Sequence, residues 1–111
     1  MKSDKNVVSI DFLIENLKAT DQVVRLHAAT VLGAMGEEAV PALPALIELL
    51  KAANIHDRKL AALALGEIGP AAEQAIPALF AAVDDDDEGV AEMAEWALEE
   101  IDVVDDGEEA A

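Results

Sequence analysis

The 111-residue chain contains no cysteine, which excludes disulfides, thiolate nucleophiles and Cys-ligated zinc while leaving the redox compartment open. Aromatic residues make up 3%, with two Phe, one Trp and no Tyr. A core built here must therefore rest on small and aliphatic side chains. Basic residues are scarce too: 7 Lys and Arg stand against 24 Asp and Glu, for a formal net charge of −17. A field of that sign repels phosphate, so neither nucleic acid nor an anionic membrane surface is an expected partner. A basic protein partner, a metal ion or plain solubility all suit it. No long apolar run stands out, because the Ala-rich stretches are broken by Gly, Pro or charge. No membrane span is expected on that ground. The opening Met1-Lys2-Ser3-Asp4-Lys5 leads into Val7-Val8-Ser9-Ile10-Asp11 without the apolar core of a signal peptide, which makes cytoplasmic residence the expectation.

What the chain does have is a hydrophobic fraction of 53%, mostly Ala, Leu, Val and Ile. Ala and Leu favour helices, and the strand-forming aromatic residues are few, so the expected class is all-α. The apolar residues are also periodic. A shift of 33 places Leu32-Gly33-Ala34-Met35-Gly36 on Leu65-Gly66-Glu67-Ile68-Gly69, and Pro44-Ala45-Leu46 on Pro77-Ala78-Leu79. Residues 21–51 share 11 identities with residues 54–84, where average composition would give about two or three. Ala94, Leu98 and Ile101 continue the columns forward, while Ile10, Leu13, Ile14 and Leu17 anticipate them. This organisation predicts one domain over 1–101: a half repeat at 6–20, repeats at 21–53 and 54–86, and a terminal half repeat at 87–101. Residues 102–111 read as an acidic, disordered tail.

Each unit divides into two helices. First helices are expected at 22–35, 55–68 and 88–101, with Asp21, Asn54 and Asp87 as N-caps spaced 33 apart. Val24, Ala28, Val31, Leu32 and Met35 follow the spacing of one buried helix face. Gly36 and Gly69 stand where a left-handed C-terminal residue is wanted. Second helices are expected near 10–18, 42–52 and 75–83, with Pro44 and Pro77 in first turns where a missing N–H costs nothing. The stretches Glu37–Val40 and Pro70–Gln74 read as short helical turns. Gly33 and Gly66 lie inside first helices, where glycine costs about 1 kcal/mol relative to alanine, so a close helix contact is expected there. Their column continues at Glu99, and such a polar outer face is what an end unit needs.

A 33-residue period also occurs in ankyrin and tetratricopeptide arrays. The Thr-Pro-Leu-His signature of the first is absent, as are the Trp, Tyr and Phe positions of the second. Val24-Arg25-Leu26-His27-Ala28-Ala29-Thr30-Val31-Leu32-Gly33-Ala34-Met35-Gly36 resembles the first helix of short HEAT repeats instead. Ile68-Gly69-Pro70-Ala71-Ala72-Glu73-Gln74-Ala75-Ile76-Pro77-Ala78-Leu79 resembles their turn and second helix. The resemblance spans residues 10–101 and extends to the repeats of some phycobilin lyases. It implies a short right-handed α–α superhelix, a HEAT-type solenoid of about five to six helices. It also implies that Arg25 and Arg58 brace neighbouring repeats, a structural role, although the third slot is Ala91 and Asp57 replaces the usual apolar residue before Arg58.

Few groupings promise chemistry. Asp84-Asp85-Asp86-Asp87-Glu88-Gly89, taken with Glu95, nearly fits a calcium loop, with Asp84, Asp86, Glu88 and Glu95 as weak candidate ligands. The repeat register starts a helix inside that loop, which argues for a plain acidic connection capped by Asp87. His27 and His56 occupy different columns and form no His-Glu pair; His27 is expected to be partly buried and His56 to lie near a helix start. Ser3, Ser9, Thr20 and Thr30 have no base and orienting group beside them. Met35, Met93 and Trp96 sit at helical spacing and read as packing residues.

The expected function is a non-catalytic protein-binding scaffold with no cofactor. The resemblance places the concave surface on the second helices, at Phe12, Glu15, Asn16, Ala45, Glu48, Leu49, Ala78 and Ala81, of which Phe12, Glu15, Asn16, Glu48 and Leu49 are the leading partner contacts. Self-association through the end helices is a further possibility. The alternatives are a chromophore-handling enzyme subunit like a phycobilin lyase, for which the chain offers no Cys or Tyr, and a calcium binder using the acidic loop.

Overall fold

The computed structural model describes residues 9–102, and these are all-helical, with no strand among the described residues. The expected acidic tail beyond Asp102 and the first residues of the 6–20 half repeat lie outside the described residues. Six α-helical segments run in order: α1 (Ile10–Asn16), α2 (Gln22–Met35), α3 (Leu43–Leu49), α4 (Ile55–Ile68), α5 (Ile76–Ala82) and α6 (Glu88–Asp102). The 3-10 segments Gly36–Ala42 and Gly69–Ala75 join α2 to α3 and α4 to α5 without a break. Counted as continuous helical stretches there are four, fewer than the five to six expected. The expectation of separate helices fails because both linking segments keep helical turns through their prolines.

Local chemistry sets the boundaries. Ser9 Oγ accepts from the amides of Asp11 and Phe12 at the start of α1. Asp21 accepts from Val23 N, Asn54 from His56 N and Asp57 N, and Asp87 from Val90 N. Each cap satisfies a first-turn donor that has no partner within its helix. Pro44 and Pro77 fall in the first turns of α3 and α5. Gly36 (φ 62°, ψ −134°) and Gly69 (φ 80°, ψ −149°) end α2 and α4. Their φ is positive as expected, but their ψ belongs to the mirror-extended region rather than the left-handed helix, so the chain enters the 3-10 turn directly.

The core is made of Leu and Ala columns: Leu13, Leu46 and Leu79 of the second helices are fully buried, as are Leu32 and Leu65 of the first. First helices pack side by side, α2 on α4 and α4 on α6, while α1 packs on α2, α3 on α4 and α5 on α6. The two internal glycines mark the closest approaches. A Cβ at Gly33 would lie 2.6 Å from Glu67 Oε1, and one at Gly66 would lie 2.8 Å from Trp96 Cε3 and 3.0 Å from the Ala97 Cα. Glycine is what lets α4 and α6 meet there.

Taken as one stretch, Gln22–Leu49 has 28 residues and holds an 18-residue window with a mean hydropathy of 1.2, long and apolar enough to cross a membrane by those measures. Gly36, Glu37, Glu38, Pro41 and Pro44 interrupt it, the kind of break on which the expectation of no membrane span rests. The 3-10 segment nevertheless divides it into limbs of 14 and 7 α-helical residues. At 1.5 Å per residue these reach about 21 Å and about 10 Å, short of the roughly 30 Å hydrocarbon core.

Candidate interaction surface

Arg25 and Arg58 act as brackets between repeats. The Arg25 Nη1 donates to the carbonyls of Ala19 and Thr20 (2.8 and 2.9 Å), and Arg58 Nη1 does the same to Ala52 and Ala53 (2.9 and 3.0 Å). These acceptors are repeat-equivalent; the carboxylates are not. Arg25 Nε donates to Asp57 Oδ1 at 3.1 Å, from the neighbouring first helix. Arg58 instead grips Asp85 with Nε at 2.8 Å and Nη2 at 3.2 Å. Asp57 stands where Val24 and Val90 stand in the other units, and Asp85 where Ala19 and Ala52 stand. The Asp57 side chain is nearly buried, so its apparent departure from the apolar column is explained by the guanidinium it meets. The bond from Arg58, followed by the Asp87 backbone N–H, holds the Asp85 carboxyl below its ordinary range, and the same bond raises Arg58.

The calcium-loop candidates are not assembled. Asp85 is engaged by Arg58 and by Asp87 N, and Asp87 caps α6. Glu88 and Glu95 are both on α6, seven residues or about 10.5 Å apart along its axis. No three acidic or His side chains among the described residues converge as a metal site. His56 lies in the first turn of α4, as expected, but His27 is exposed rather than partly buried. It occupies the column of Leu60 and Met93 on α2, the first of the three first helices, where no first helix among the described residues packs over it.

Of the expected partner contacts, Phe12 is 59% exposed on α1. Glu15 and Glu48 are exposed, Asn16 is half-buried, and Leu49 is largely buried. The structure gathers only part of this set. Glu48 and Leu49 join Ile14, Leu17, Lys18 and Pro44 around a cleft of about 460 Å³ between α1 and α3. A second cleft of about 440 Å³ between α3 and α5 is lined by Leu50, Lys51, Ala78, Ala81 and Ala82, beside the Arg58–Asp85 pair. The two are related by the 33-residue shift: Leu17 becomes Leu50, Lys18 becomes Lys51, Ala45 becomes Ala78, Glu48 becomes Ala81 and Leu49 becomes Ala82. Phe80, 62% exposed on α5, was not singled out from the sequence; its column mates Ile14 and Ile47 are half-buried. A further pair of clefts, of about 300 and 430 Å³, runs along the first helices, where Leu60 and Leu63 of one repeat are replaced by Met93 and Trp96 in the next.

Repeating helix pairs, repeat-spaced arginine brackets and repeat-spaced surface clefts define a helical-repeat protein. A family model for HEAT repeats matches residues 10–102, and the chain belongs to the HEAT-repeat family. HEAT repeats generally serve as protein-interaction scaffolds. A search of curated proteins found no match.

Proposed function

We propose that this protein is a non-catalytic scaffold, a short right-handed α–α superhelix that holds a segment of a partner protein on the face formed by α1, α3 and α5. The observation that carries this reading is the recurrence of the cleft. Two openings of nearly equal size, one repeat apart, share the same Leu-Lys wall and an equivalent alanine, Ala45 in one and Ala78 in the other. Packing within one domain needs no open apolar clefts, and contiguous apolar surface of this kind marks interaction sites. Exposed Phe12 and Phe80 stand on the outer two helices of that face and supply aromatic anchors. With Glu15 and Glu48 exposed on α1 and α3, basic groups of the partner have carboxylates to meet.

Affinity capture from cell extract, with the wild-type chain beside a Glu15→Lys/Glu48→Lys variant, tests this. The expected result is a protein retained by the wild type at low salt, lost at high salt, and weakened by the double variant whose helix content is unchanged. Equal capture by both chains would place the partner elsewhere and sink the assignment of this face.

A further inference from the structure

The charges on the α1–α3 face form two rows of opposite sign. Glu15 on α1 has Glu48 as its repeat equivalent on α3, and Lys18, just past α1, has Lys51 just past α3. All four are exposed. Three lysines occur among the described residues, Lys18, Lys51 and Lys59, and two of the three occupy this one column. Glu and Lys three residues apart along a helical turn are close enough to pair with each other. Neither pair does so: the ion pairs among the described residues are Arg25–Asp57 and Arg58–Asp85. The rows are separated by three residues, about 4.5 Å of helical rise. Each row runs from α1 to α3. At α5 the two columns become Ala81 and Asp84, so the pattern is confined to α1 and α3.

We propose that this face docks an amphipathic helix of a partner protein, laid across α1 and α3, with basic residues along one flank and acidic residues along the other. Apolar side chains along the inward face of that helix enter the clefts beside Ala45 and Ala78. The basic flank meets Glu15 and Glu48, and the acidic flank meets Lys18 and Lys51. Exchanging the flanks is equivalent to turning the helix end for end, so the two rows set the direction in which the segment lies. This rests on the scaffold reading and adds the chemistry of what is held.

The test uses three synthetic helical peptides with identical apolar positions: one with split flanks, one all-basic and one all-acidic. Binding is measured at about 0.15 M salt, where exposed charges are screened beyond about 8 Å and the general field of the protein contributes little. The split peptide should bind at least about tenfold more tightly than either uniform one. A Lys18→Glu/Lys51→Glu variant should move the preference to the all-basic peptide. Wild-type binding of the all-basic peptide as tight as that of the split one would overturn the proposal, as would binding of no peptide. So would concentration-dependent dimerisation abolished by the lysine variant, since it would make a second copy the occupant. Any of these results, with partner capture still lost in Glu15→Lys/Glu48→Lys, would remove the two-row docking and leave the scaffold reading standing.

Discussion

Adding one methyl group at Gly66 should destabilise the fold, whereas the same change at the repeat-equivalent Gly33 should not. In isolation each Gly→Ala change in a helix interior is worth about 1 kcal/mol of added stability. The surroundings decide the sign. A Cβ at Gly66 meets the Trp96 ring, with Cε3 at 2.8 Å and Cζ3 closer still, and the Ala97 backbone at 3.0 Å. The ring is rigid and half-buried and Ala97 is fully buried, so α4 and α6 must separate or Trp96 must leave its rotamer. Such overpacking costs about 1–3 kcal/mol, and contact with both ring and backbone puts this case near the upper end. The net effect of Gly66→Ala is then a loss of roughly 1–2 kcal/mol, about 5–15 °C in Tm for a domain of this size. At Gly33 the nearest atom is Glu67 Oε1 at 2.6 Å, the tip of an exposed, flexible side chain; the Glu67 Cβ at 3.3 Å needs a shift of only a few tenths of an ångström, and the Ala64 Cα lies at an ordinary 3.5 Å. Glu67 swings away, and Gly33→Ala comes out between neutral and about 1 kcal/mol more stable. Urea and thermal unfolding followed by far-ultraviolet circular dichroism measure both. Adding Trp96→Leu to Gly66→Ala should return part of the loss, because the ring is the obstacle. A Gly66→Ala protein as stable as wild type, or a Gly33→Ala protein that loses as much, would refute the close-approach argument.

Three further outcomes follow from the brackets and from α6. Arg25→Met leaves the nearly buried Asp57 carboxylate unpaired and should cost about 2–3 kcal/mol, whereas Asp57→Val restores the residue type of its column and should cost less than about 1 kcal/mol in urea titrations. The double variant should recover most of the arginine loss. Because Asp85 is held below its ordinary carboxyl range, chiefly by Arg58, its contribution is fully present above the unfolded carboxyl value and fades as pH falls through its lowered folded value. The stability gap between wild type and Arg58→Met should therefore be constant near neutrality and close below about pH 4; a gap unchanged down to pH 2 would contradict it. Glu95 and Glu99 stand, exposed, in the columns filled by Ala29 and Ala62 and by Gly33 and Gly66 where first helices stack. Glu95→Ala with Glu99→Gly should create a stacking face, seen as concentration-dependent association in sedimentation velocity. Unchanged sedimentation would show that those carboxylates do not guard the face.

Helix boundaries were legible because they are short-range chemistry. Asp21, Asn54 and Asp87 cap the helices that follow them whatever packs nearby, and Pro44 and Pro77 fit only a first turn. The alternation of Leu and Ala columns was legible because a repeat shows the same buried face more than once. Side-chain exposure at the ends of the columns was not. His27 was expected to be partly buried, yet it is exposed because no described first helix packs over α2 at that position. Trp96 was readable as a packing residue, but that it lies over Gly66 depends on how α6 crosses α4.

By itself, then, the sequence determined the period, the helices, their caps and the family to which the chain belongs, since each is written in residues a few positions apart or in their recurrence. Tertiary structure alone decided which carboxylate each bracketing arginine holds, Asp57 for one and Asp85 for the other. It also decided where clefts open between α1, α3 and α5, and that among the described residues Glu15 and Lys18 form no ion pair, nor do Glu48 and Lys51. Those features depend on distances between residues about 30 positions apart, set by how one repeat seats against the next, and no local propensity encodes them.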